Sequence, residues 1–122
     1  MIDIDKLRSN VEEIARIAGS FLKEQQSALR QSDIELKGTR NFVTHIDTEA
    51  ERMVVEKLDG LIPDATFLTE EGTVEYADGR YTWIIDPLDG TTNYVHGDTP
   101  FSVSIALMKD LRTILGVVYD PV

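Results

Sequence analysis

Leu7, Val11, Ile14, Ala15, Ala18, Phe21 and Leu22 recur at intervals of three and four residues. On a helix of 3.6 residues per turn they share one face. The spacing predicts a single amphipathic helix through the first thirty residues, with Asp3 or Asp5 as its N-terminal cap. Arg8, Glu12, Glu13, Arg16 and Lys23 take the opposite face, where water solvates them. A stripe this long has to lie on another apolar layer. The 122 residues, 42% of them hydrophobic, suffice for one domain with its own core, spanning 1–122.

The rest of the chain supplies that layer. Residues 31–43 carry no helical stripe, and Gly38 breaks them, so a hairpin or loop is expected there. A second helix follows, capped by Thr44 or Asp47, with Ala50, Met53, Val54, Leu58 and Leu61 as its stripe and Gly60 and Pro63 closing it. Residues 65–69 read as a strand and 72–80 as a polar loop. Residues 81–85 read as a strand that stops at Asp86-Pro87, because proline donates nothing to a sheet ladder. A turn over 88–93 leads to a helix start at Thr91 or Thr92. Phe101 to Met108 alternates apolar with small residues, and a tight connection at 109–112 joins it to a strand over 113–119, an antiparallel pair. The sum is an α+β layered arrangement, two helices on a mostly antiparallel sheet.

Composition removes several functions. The formal charge of −10 makes the chain a poor coat for nucleic acid or an anionic membrane. It has no cysteine, hence no disulfide framework, thiolate zinc site or cysteine nucleophile. No apolar run approaches the ~20 residues of a membrane span, and no secretory signal is visible, so a cytoplasmic location is expected. His45 and His96 stand apart from each other and read as surface residues. Trp83, inside a strand, reads as core.

The acidic residues carry the chemistry. Asp47 falls at the expected start of the second helix. Glu70 and Glu71 follow one strand, and Asp86 and Asp89 bracket Pro87-Leu88 after another. Strand ends converge on one edge of a layered sheet, where sites form. Two carboxylates three residues apart on a proline-stiffened turn can face one point, and their repulsion favours a hard divalent cation between them. Gly90 lets backbone N–H groups approach an anion, and a helix start beyond it adds more donors. Carboxylates, a hard cation and N–H donors suit phosphoryl transfer. Alone, the same residues also fit an ordinary Asx turn, with Asp86 and Asp89 bonded to nearby backbone N–H groups.

Longer segments decide between these readings. Residues 83–94, Trp-Ile-Ile-Asp-Pro-Leu-Asp-Gly-Thr-Thr-Asn-Tyr, closely resemble the first signature of the inositol monophosphatase family. Asn41-Phe42-Val43-Thr44-His45-Ile46-Asp47 is similar to that family's Asp-Leu-Val-Thr-x-x-Asp segment, and Phe67-Leu68-Thr69-Glu70-Glu71-Gly72 to its Gly-Glu-Glu segment. Residues 101–107 and 116–119 resemble it too, in the same order. Asn41 and Thr69 depart from the pattern without removing a ligand.

The resemblance implies a layered sugar-phosphatase fold and Mg²⁺-dependent, lithium-sensitive hydrolysis of a phosphate monoester, by in-line attack of a metal-activated water. It implies Glu70, Asp86 and the Leu88 carbonyl as ligands of one Mg²⁺, and Asp86 and Asp89 for a second. Thr91, its hydroxyl oriented by Asp47, would position the attacking water together with Glu70. Gly90, Thr91 and Thr92 would bind the phosphate. Lys37 corresponds to a mobile-loop lysine, and Glu71 stands behind the ligands. The substrate would be inositol monophosphate or a related sugar or polyol phosphate, and the full-length form a homodimer. The second signature, Trp-Asp-x-x-Ala-Gly, is absent. The resemblance therefore implies that the C-terminal half of the fold is missing and that the chain alone is weakly active or inactive. Some bacterial relatives act on the transcription machinery, which leaves a protein-binding module as an alternative, and a non-catalytic metal-binding fragment as another.

Overall fold

The computed structural model describes residues 2–28, 39–74 and 79–122, with 39–44 as backbone only. Helix α1 runs Ile4–Ala28 and α2 Thr39–Leu58. Strands β1 (Thr66–Thr69) and β2 (Tyr81–Asp89) follow, then the short helix α3 (Thr91–Val95) and strands β3 (Ser102–Lys109) and β4 (Arg112–Tyr119).

Helix α1 forms where the stripe places it. The Asp3 carboxylate accepts the Lys6 N–H at 3.1 Å, so Asp3 is the cap. Leu7, Val11, Ile14, Ala15, Ala18 and Leu22 are buried, while Phe21 is half-buried. Arg8 and Arg16 pair with Asp5, Glu12 and Glu13 along the solvated face.

The sheet has the order β1-β2-β3-β4. β1 and β2 are parallel, and the other two pairings are antiparallel. One row of partners, Phe67–Trp83–Leu107–Leu115, crosses all four strands and is buried throughout. Ile85 and Ile105 continue that face. α1 packs on it over β3 and β4, and α2 over β2, so the core lies between helices and sheet. Alternate residues on the other face, such as Ile84, Ala106 and Met108, are only half-buried.

Three expectations are corrected. α2 begins at Thr39, so the loop assigned to 31–43 gives way to helix over its last five residues, and neither Thr44 nor Asp47 is a cap. β2 does not stop at Asp86 but runs to Asp89. Asp86 faces Ser104 and Asp89 faces Ser102, so the ladder slips by one residue between them. Pro87 sits in that bulge, where its missing N–H interrupts no ladder bond.

Candidate functional site

Parallel pairing brings two strand ends to the same edge of the sheet. β1 matches β2 through Thr69↔Ile85, and the Glu70 N–H then donates to the Ile85 carbonyl at 3.3 Å. Glu70 therefore leaves β1 beside Asp86. Across this edge lies α2, which presents Asp47 and, one turn later, Glu51. Asp47 is 8% exposed and Glu51 not at all. Asp47 thus comes within electrostatic reach of Glu51, Glu71 and Asp86, and Asp86 in turn of Glu51, Glu70 and Asp89.

Their repulsion is visible in the acid strengths. Burial first, then the charge of Glu71 and a hydrogen bond with it, then Asp86 and Glu51, push the Asp47 carboxyl up to about 7. Asp86 is raised by burial and by Glu70, Asp89 and Glu51, while a hydrogen bond from the Leu88 backbone pulls it the other way.

The turn after β2 is rigidly seated. Leu88 is buried, and Asp89 is exposed at the strand end. Gly90 precedes α3 with φ +89°, a left-handed conformation, and a Cβ there would lie 2.7 Å from the Pro100 carbonyl oxygen. No side chain fits. Thr91 and Thr92 open α3 with exposed side chains, and the Tyr94 N–H bonds the Gly90 carbonyl at 3.0 Å. Tyr94 is fully buried, edge-on to Phe101, and its hydroxyl donates to the Leu22 carbonyl of α1 at 2.8 Å. The Gln26 side chain donates to the carbonyls of Tyr94 and Asp98. Burial and the Asp47 charge push the Tyr94 phenol well above its usual value, which places Asp47 beside α3 as well.

Asp47, Glu70, Glu71, Asp86 and Asp89 are therefore gathered at one sheet edge, with Leu88, Gly90, Thr91 and Thr92 following directly along the chain. The Thr91–Asp47 contact is not made at Asp47 Oδ1, which is buried without a hydrogen-bond partner. Lys37 lies outside the described residues. His45 and His96 are exposed and Trp83 is buried, as read from the sequence. Glu51 is a residue of this site that no motif in the sequence marks. Its signal was a charged residue on an apolar stripe, one turn after Asp47 and flanked by Ala50 and Val54.

Among the described residues, no group of three or more His, Asp or Glu side chains is brought close enough together to hold a metal ion. The donors nevertheless suit a hard cation. They are all oxygen, Asp47 Oδ1 is buried without a partner, and burial together with neighbouring acids raises the carboxyls of Asp47 and Asp86 above their usual range.

The family model described as "Inositol monophosphatase family" matches residues 3–122. The chain belongs to the inositol monophosphatase family. It is 44% identical over 109 residues to "Nus factor SuhB" of Pasteurella multocida, a match covering 88% of this chain and 41% of that protein. It is 39% identical over 113 residues to "Fructose-1,6-bisphosphatase/inositol-1-monophosphatase" of Aquifex aeolicus, covering 89% and 43%. The inositol monophosphatase of Anabaena (Nostoc) sp. PCC 7120 shares the fold at a TM-score of 0.78 and 32% identity, over 98% of this chain and 42% of that one. The chain thus spans about two-fifths of the length of the curated relatives it matches. The solved family member shares its α+β sheet-and-helix fold. No described helix is long and apolar enough to cross a membrane.

Proposed function

We propose that this member of the inositol monophosphatase family takes part in the Mg²⁺-dependent hydrolysis of a phosphate monoester of inositol or a related sugar or polyol. The observation that carries the reading is the parallel β1–β2 pair, which sets Glu70 beside Asp86 under Asp47 of α2. Glu70, Asp86, the Leu88 carbonyl and Asp89 would hold Mg²⁺. When bound, the cation offsets phosphate charge and acidifies coordinated water.

The other roles belong to the chain itself. The backbone N–H groups after Gly90, with the hydroxyls of Thr91 and Thr92, hold the phosphate oxygens at the start of α3. The Thr91 hydroxyl orients a water in line with the ester bond, and Glu70 accepts its proton. The water oxygen bonds to phosphorus, the ester P–O bond breaks, the departing alkoxide takes a proton from solvent water and leaves as the alcohol, and Glu70 returns its proton to solvent. Asp47 would orient the Thr91 hydroxyl from α2. The chain spans about two-fifths of its relatives' length, and the 122 residues by themselves are expected to turn over weakly or not at all.

A calorimetric Mg²⁺ titration of the chain, with phosphate release from inositol monophosphate measured in parallel, tests the reading. Glu70→Gln and Asp86→Asn should each weaken Mg²⁺ binding severely. Unchanged binding in both variants would remove the cation site. Undiminished binding with no phosphate release under any condition would leave a metal-binding fragment.

A second reading rests on relatives that carry the name Nus factor. Here the acidic chain, at −10, would meet a basic patch on the transcription machinery. Association with that machinery that survives Asp86→Asn would favour this role over catalysis.

A further inference from the structure

We propose that Glu51 is the positioning residue that fixes the direction of Glu70. This rests on the cation-site reading above and extends it to a side chain that neither signature contains. Glu51 sits in α2 with no exposure, among Ala50, Val54 and Leu58. None of the ion pairs among the described residues includes it. A buried carboxylate without a cation is costly, and an apolar side chain would fill the core there at lower cost.

Its oxygens explain its presence. One accepts the Glu71 N–H at 2.7 Å, and the other accepts the Thr73 N–H at 3.0 Å. Such charge-assisted bonds to backbone N–H groups are among the stronger protein hydrogen bonds. They tie the turn after β1 to a helix 20 residues earlier in the chain.

Glu70 lies inside this clamp. The N–H before its Cα is bonded to the Ile85 carbonyl of the sheet. The N–H after it, that of Glu71, is bonded to Glu51. With both flanking peptide planes held, the Cα–Cβ bond of Glu70 is aimed at the edge that Asp86 occupies. Glu51 is not itself a ligand or base, because both oxygens are taken by amides and neither meets solvent.

Amide hydrogen exchange by NMR on the full chain gives the first test. The Glu71 and Thr73 amides should exchange as slowly as β2 amides such as Ile84, although they lie in a turn. Exchange at open-loop rates overturns the proposal. Mg²⁺ calorimetry on Glu51→Gln and Glu51→Leu gives the second. Glutamine turns a donor toward one of the two N–H groups, and leucine fills the space without accepting either. Each should weaken Mg²⁺ binding by roughly 10- to 100-fold, the usual effect of losing an outer support of a metal ligand. Wild-type affinity in folded Glu51→Leu overturns the proposal. Asp86→Asn run alongside separates the two readings. If it too leaves binding unchanged, the cation site fails, and the exchange rates alone decide the clamp. If the Glu51 variants do not fold, the wild-type exchange rates again decide it.

Discussion

The two turns that deliver carboxylates to the sheet edge are built differently. The turn after β2 extends a central strand, paired on one side with β1 and on the other with β3. It runs through a bulge into α3, which α1 anchors through Leu22 and Gln26. The turn after β1 leaves a four-residue edge strand, and one buried carboxylate holds it from behind. Both bring acidic groups to one place. The first is held by two neighbouring strands, buried Leu88 and the anchored α3, whereas the second depends mainly on the hydrogen bonds of Glu51. Rigidity at this site is therefore unevenly distributed, and the β1 turn is where it can be weakened without dismantling the core.

Two glycines separate these cases. Gly90→Ala should cost the most, about 3 kcal/mol or more of stability. It adds left-handed strain to a Cβ placed 2.7 Å from the Pro100 oxygen. Thermal unfolding should show a large fall in Tm. Gly72 is also left-handed, at φ +68°, but nothing lies within 4 Å of an added Cβ. Gly72→Ala should therefore cost only the strain, about 1–2 kcal/mol. Equal losses in the two variants would erase the distinction between the turns.

Between these falls a pH effect. The folded state holds the Asp47 proton up to about 7, against 3.8 for the free side chain. Between those values the folded state binds more protons than the unfolded one, so stability falls as pH rises from about 4 to 7. One proton sets an upper slope of about 1.4 kcal/mol per pH unit. Urea unfolding without divalent cations should show this slope, and Asp47→Asn should reduce it. An unchanged slope would mean that Asp47 is not the group under pressure. The smallest effect is on the α3 side. Tyr94→Phe removes the bond to the Leu22 carbonyl and should cost about 1 kcal/mol.

Much of this architecture was legible in the residues. The α1 stripe and the alternation of 101–108 are periodic signals, and both became the elements they predicted. The acidic segments were read by resemblance, and all described ones met at one edge. What escaped had physical reasons. Thr39, Asn41, Phe42, Val43 and Thr44 are mediocre helix formers, so the start of α2 carries no local signal. Pro87 marks a strand end only where no bulge absorbs it. Glu51 escapes a reading of the residues because its partners, the amides of Glu71 and Thr73, have no side-chain signature in the sequence.

The parallel register of β1 on β2 has one more consequence. Strand side chains alternate between faces, so sliding β1 by a single residue would rotate Phe67 out of its row with Trp83 and carry Glu70 away from Asp86 together. The oily interior thus proofreads the acidic rim: a misaligned edge strand cannot keep a sound core and a wrong site at once.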